Sequence, residues 1–372
     1  MTEIESTRIP KIAIVAGEKS GDALGGALME ALKKRHSNIS FIGIGGNKME
    51  SQGLDSFFEM SEISVMGIIE PLLKLKKLLN LRKELKSFLQ KEEPDIFIGI
   101  DSPDFNLPIA KFLKKTNNIR TVQYVSPSVW AWRKGRIKSM ERYIDSVLTL
   151  FPFEKESYKG SSIVASYVGH PLSYSIDLDE QDISNKVENS IALLPGSRNS
   201  EISEVGNLMV RAAKELKKEN PEYVFFMPLA SENHLSLIQE EIDDFIEVTY
   251  GNSQEVLKKS KLAIITSGTA TLESVLSFTP CVTLYRTNWI SYRLIKPLLT
   301  IKYFSLPNLI SGKDLLPELL QDELTIENIK KSIDSIKNKG NEFYLDEFRN
   351  LKDELRAGGA DLASEEIIKL LN

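Results

Sequence analysis

Two rhythms of apolar and polar residues alternate along this chain. Short, nearly continuous apolar runs at Lys11–Ala16, Ser40–Ile44, Asp95–Ile100, Thr121–Val125 and Ser146–Leu150 predict strands buried on both faces. Between them, Asp22–Arg35, Ile68–Gln90 and Phe105–Lys115 carry apolar residues at helical spacing, with Pro71 confined to the first turn of its helix. The pattern then restarts. Strands are predicted at Ser190–Leu194, Tyr223–Met227, Ile246–Thr249, Leu262–Thr266 and Cys281–Tyr285, with helical segments such as Ile202–Lys218 between them. This alternation predicts an α/β fold of parallel sheets covered by helices on both faces.

A weaker stretch, Tyr167–Asn185, separates the two series. It holds Gly169-His170-Pro171 and an acidic, Ser-rich tail, which suits a linker or hinge. The expected division is an N-terminal Rossmann-like domain over 1–172 and a second over 173–345. A helical tail over 346–372 then packs back on the first domain or exchanges between two copies of the chain. Two such domains facing each other would place a cleft between the carboxyl ends of two strand sets, where open α/β sheets bind ligands.

Composition narrows the class. A chain of 372 residues, 42% hydrophobic and 27% charged, is long enough for two ordinary soluble domains. A net charge of −5 gives no global reason to expect nucleic acid as a partner. Cys281, the single cysteine, excludes an internal disulfide and fits a reducing compartment, so a cytoplasmic location is expected. With one Cys and three His, a zinc site of the usual ligands is not expected. The stretch Met1–Pro10 lacks the basic-then-apolar character of a signal peptide.

Several strand ends carry chemistry. Leu194-Pro195-Gly196-Ser197-Arg198 leads from a strand into a helix, where free amides and the helix dipole favour an anion; Arg198 adds a fork of donors suited to a diphosphate. Ser197 or Asn199 could equally serve as a plain N-cap. Ser267-Gly268-Thr269 repeats the strand–turn–helix arrangement, and Glu273 in the first helical turn suits the vicinal hydroxyls of a ribose or, alternatively, complements the helix dipole. The first βα turn, Ala16-Gly17-Glu18-Lys19-Ser20-Gly21-Asp22, is neither a P-loop nor a dinucleotide fingerprint. It carries Glu18, Ser20 and Asp22 towards the expected cleft. Asp101 ends a strand and could take a proton from a substrate hydroxyl; Asp104 is the other candidate, and either could instead cap the following helix.

Aromatic and basic residues mix in Trp130-Ala131-Trp132-Arg133-Lys134, followed by Arg136 and Lys138. That mixture suits a sugar ring or a lipid phosphate as well as an ordinary loop. Val65–Ile69 with the basic helix after it, and Trp289–Phe304, are apolar–basic surfaces of the kind that meet anionic membranes, though solvated helix faces look the same.

Taken in order, these segments resemble the lipid A disaccharide synthases, glycosyltransferases of the GT-B type. The matching stretches also include Gly43-Ile44-Gly45-Gly46, Ser64-Val65-Met66-Gly67, Gly99-Ile100-Asp101-Ser102-Pro103-Asp104-Phe105-Asn106, Tyr124 to Trp132, Val168-Gly169-His170-Pro171 and Leu306-Pro307-Asn308-Leu309. Lys19 and Ser102 stand where smaller residues are expected. The resemblance implies transfer of 2,3-diacylglucosamine from a UDP donor to the 6-hydroxyl of 2,3-diacylglucosamine 1-phosphate, with inversion to a β(1→6) disaccharide and release of UDP. It implies Asp101 as base, Arg198 and the Ser267–Thr269 turn at the leaving diphosphate, Glu273 at the ribose and Asn308 as a UDP contact. Glu18, Ser20 and Asp22 would line the facing wall. No metal or other cofactor is expected. The acyl chains imply a peripheral position on the inner leaflet.

Overall fold

The computed structural model of the chain describes residues 9–63, 75–131, 135–287, 292–293 and 302–371. The chain divides into two compact units: 1–171 together with 356–372, and 172–355.

The first unit is built on β1 (Lys11–Ala16), β2 (Ser40–Ile44), β3 (Asp55–Ser56), β4 (Ile96–Ile100), β5 (Arg120–Tyr124), β6 (Ser146–Thr149) and β7 (Val164–Tyr167). These pair in the order β3-β2-β1-β4-β5-β6-β7, all parallel. Strand β1 shows why the apolar run is unbroken. Ile12 and Ile14 join a core with Leu28, Leu32 and Ile367 on one face, while Ala13 and Val15 join Leu85, Leu89 and Leu113 on the other. Each such fully buried branched side chain contributes about 1.5–3 kcal/mol relative to exposure. Gly43 is dictated by the same sheet: its φ is +140°, and a Cβ there would lie 1.9 Å from the Ile14 carbonyl oxygen.

The second unit carries β8 (Val187–Leu194), β9 (Val224–Leu229), β10 (Ile246–Tyr250), β11 (Ser260–Thr266), β12 (Cys281–Tyr285) and β13 (Glu318–Leu320). Among the described residues these form a parallel sheet in the order β10-β9-β8-β11-β12-β13. In each sheet the chain starts near the middle, grows one way, then returns to grow the other way. The switch falls between β1 and β4 in the first unit and between β8 and β11 in the second.

The predicted strands all form, with ends shifted by a few residues. The edge strands β3, β7 and β13 carry no clear apolar signal, since an edge strand buries less of itself. The chain leaves the first unit after Pro171 and returns at Arg356, and Ser173 Oγ donates to the Leu355 carbonyl at 3.1 Å, so the two passages run side by side. The helix Asn341–Leu355 lies wholly in the second unit, so the division expected at 345 falls inside it. The last helix, Gly359–Leu371, packs on the helix Lys19–Arg35: Arg35 Nε donates to Ser364 Oγ at 2.7 Å and Arg35 pairs with Glu365 at 2.8 Å. The expected surfaces at Val65–Ile69 and over most of Trp289–Phe304, with Trp132, Arg133 and Lys134, lie outside the described residues.

Candidate functional site

Both switch points carry the sequence-predicted residues. In the second unit, β8 delivers Pro195-Gly196-Ser197-Arg198 into the helix Asn199–Glu219, and β11 delivers Ser267-Gly268 into the helix Thr269–Leu276. Thr266 Oγ1 donates to the Pro195 carbonyl at 2.9 Å and ties the two turns together. A cavity of about 430 Å³ opens above them, bounded by both turns, by the end of β9 and by the 251–253 turn.

The chemistry of this cavity suits an anion. Two helices begin at its floor, and their first amides have no intrahelical acceptor. Ser267 N is used by the Leu284 carbonyl and Ser267 Oγ donates to the Phe304 carbonyl, which leaves Gly268 and Thr269 as the exposed part of that turn. Arg198 is 73% exposed and its guanidinium pairs with Glu201 at 2.5 Å. Glu201 was not among the sequence candidates, although its spacing from Arg198 is that of a capping box. Its carboxylate accepts from the amides of Ser197 and Arg198 at 3.1 and 3.3 Å. Gly196 at φ +110° is required beneath it, since a Cβ there would come within 2.4 Å of Glu201 Oε2. Glu273 lines the same cavity. Burial pushes its carboxyl above the usual range, opposed by a hydrogen bond from the Gln254 side chain.

Asn308, expected as a UDP contact, is tied into the protein's own backbone. It is fully buried, its Nδ2 donates to the Leu316 carbonyl at 2.8 Å and to Glu318 at 3.0 Å, and its Oδ1 accepts from the amides of Leu315 and Leu316. All four of these bonds are internal to the protein. It fastens the segment whose Phe304 carbonyl receives Ser267 Oγ.

In the first unit, Gly17 follows the end of β1 and Asp101 the end of β4. Glu18 and Ser20 are exposed at the start of the helix Lys19–Arg35. Asp22, expected on the facing wall, also has backbone partners. It is buried, and its carboxylate accepts from the amides of Gly46, Lys48 and Met49 at 2.9, 3.1 and 3.0 Å. It caps the short helix Asn47–Glu50. Asp101 and Ser102 both have left-handed backbones, with φ of +49° and +38°, and neighbouring Val125 lies at +73°. Burial raises the Asp101 carboxyl above its ordinary range, opposed by a hydrogen bond from the Ser102 amide. Asp104 differs: its side chain is 83% exposed and pairs with Arg136 at 2.6 Å.

The Trp130 loop is part of the protein's own packing. Trp130 meets Phe153 edge-on at 5.0 Å and donates to Glu154. Glu154 also accepts from the amides of Leu150 and Phe151, both at 3.0 Å, and its burial outweighs these donors, pushing its carboxyl up to about 7.

Comparison with known proteins places this geometry. The family model for lipid-A-disaccharide synthetase matches residues 12–362. The lipid-A-disaccharide synthase of Idiomarina loihiensis is 42% identical, covering 97% of this chain and 98% of that relative. That of Pseudoalteromonas translucida is 38% identical, covering 97% of each. Among solved structures, the glycotransferase of kitacinnamycin has a TM-score of 0.65 at 15% identity, covering 98% of this chain and 100% of its own. The chain therefore belongs to the lipid-A-disaccharide synthase family, glycosyltransferases with two parallel-sheet α/β domains of the GT-B kind.

Proposed function

We propose that this chain forms the lipid A disaccharide by one inverting displacement, with the acceptor deprotonated in its first unit and UDP held in its second. The donor is UDP-2,3-diacylglucosamine and the acceptor is the 6-hydroxyl of 2,3-diacylglucosamine 1-phosphate. The hydroxyl oxygen attacks the anomeric carbon, the bond from that carbon to the diphosphate oxygen breaks, and the hydroxyl proton passes to Asp101. An α-linked donor then gives a β(1→6) product and free UDP.

The observation that carries this reading is positional: each unit places its candidate group at the switch point of its sheet, where such sheets bind ligands. Asp101 suits a base better than Asp104, because its carboxyl is raised by burial and has no cation paired with it among the described residues, whereas Asp104 is held by Arg136. In the second unit, Arg198 and the first amides of two helices neutralise the diphosphate as charge builds on it, and Glu273 accepts from the ribose hydroxyls. That charge neutralisation leaves no step that calls for a divalent ion. Glu18 and Ser20 line the acceptor side.

The amphiphilic substrates place the enzyme on the cytoplasmic face of the inner membrane. No helix among the described residues is long and apolar enough to cross a bilayer. Leu79 stands 44% exposed on the basic helix Leu75–Glu92, which supports a peripheral contact. The last helix buries Ala363 and Ile367 in the core of the first unit, the packing such a tail makes whether it comes from its own chain or from a second copy.

The test is an incubation of purified protein with both substrates, with and without chelator. Disaccharide 1-phosphate and equimolar UDP in both samples are expected. Well-folded protein that yields neither product contradicts the reading.

A further inference from the structure

The backbone at Asp101 is bent into a conformation that residues with side chains rarely adopt, and it does so twice in succession, at Asp101 and Ser102. A bend of this kind persists only where its surroundings hold it. The holding groups are visible. The Asp101 carbonyl oxygen accepts from Asn106 Nδ2 at 2.9 Å and from Gln123 Nε2 at 3.0 Å. One amide comes from the helix Pro103–Asn117 and the other from β5, so the peptide is gripped from two elements.

For each amide the bond to the Asp101 carbonyl is the shortest of several, the others including Val15 at 3.5 Å for Asn106 and Tyr124 at 3.4 Å for Gln123. Asn106 Nδ2 also reaches the Ile100 carbonyl at 3.2 Å, and Gln123 Nε2 reaches the Val125 carbonyl at 3.3 Å. Both side chains are 1% exposed, so neither meets a substrate. Asn106 Oδ1 has no hydrogen-bond partner among the described residues. Gly99 leaves the room they occupy, since a Cβ there would sit 2.7 Å from Asn106 Cβ and 3.2 Å from Gln123 Oε1.

We infer that Asn106 and Gln123 are positioning residues, which fix the Asp101 peptide and thereby aim its carboxylate at the acceptor hydroxyl. The inference rests on the reading of Asp101 as the base. Loss of either amide lets the bend relax, and misaiming a general base lowers turnover without touching the donor site.

The experiment uses the full-length protein and the variants Asn106→Leu, Gln123→Met, Gly99→Ala and Asp101→Asn, with both glycolipid substrates. Each of the first three is expected to lower kcat by about 10- to 100-fold with UDP affinity within about twofold of the parent. Single-turnover rates are then compared in the Asp101→Asn background. There the same substitutions should have no further effect, because the group they aim is gone. Further losses in that background would show a general structural role and overturn the inference. Parental kcat in folded Gln123→Met and Gly99→Ala, with Asp101→Asn inactive, would overturn it too. Parental activity in Asp101→Asn would instead defeat the reading of Asp101 itself.

Discussion

Glu201 sits on Arg198: its carboxylate pairs with the guanidinium at 2.5 Å and accepts the Ser197 and Arg198 amides at 3.1 and 3.3 Å. The donors proposed for a diphosphate are thus already engaged by an anion of the protein. Glu201→Gln keeps the shape and removes the charge. UDP should bind about two- to fivefold tighter, since a partly exposed competing charge is worth roughly 0.5–1 kcal/mol. The helix should lose a comparable amount of stability with its cap. Calorimetric titration with UDP checks this; weaker binding would mean that the carboxylate shapes the turn for the ligand.

Arg198 is expected to meet charge that develops as UDP departs. Arg198→Ala should therefore raise the barrier by about 2–4 kcal/mol, or about thirtyfold to a thousandfold in kcat. Steady-state kinetics at saturating acceptor measure it. Unchanged kcat would remove Arg198 from the leaving-group site.

The raised Asp101 carboxyl has a consequence for stability. Burial lifts its titration in the folded chain above that in the unfolded chain. Between those two values the folded state binds more protons, so stability falls as pH rises through that window and remains lower above it. At neutral pH the ionised carboxylate is a cost. Asp101→Asn should melt at a temperature equal to or higher than the parent at pH 7, with the difference shrinking in acid. A variant that is less stable at neutral pH than in acid, relative to the parent, would contradict this sign. The same carboxyl should set the acid limb of the pH–rate profile, above the ordinary aspartate range.

Asn308 gives the clearest separation of a structural from a ligand role. Its amide makes four hydrogen bonds to Leu315, Leu316 and Glu318, three of them fully buried. Asn308→Ala should cost about 2–4 kcal/mol of stability, because several buried partners are left unpaired. UDP affinity measured below the melting transition should change by less than about tenfold. Unaltered stability with abolished UDP binding would restore Asn308 to the ligand.

Sequence pattern and structure agree where burial is symmetrical. The runs at Ile12–Val15 and Ile191–Leu194 are apolar at every position because helices cover both faces of their sheets, and their placement exposes the turns that follow. The pattern is silent where a polar residue faces inward. Asn308 and Asp22 carry the same letters whether they bind a ligand or the backbone, and only the amides around them decide. Gln123 lies in the middle of an apolar strand and Asn106 on the inner face of a helix, so their amides read as exceptions to a pattern rather than as a pair around Asp101. Glu201 was legible in principle from its capping distance, but Arg198 is not a customary cap residue and hid it.

The most direct measurement compares the parent protein with Asp101→Asn at saturating UDP-2,3-diacylglucosamine and acceptor, following disaccharide formation alongside UDP affinity. The expected result is a rate lower by about a hundredfold to ten-thousandfold in the variant, with UDP bound as tightly as before. A variant that makes disaccharide at the parental rate would place the base elsewhere and contradict the account.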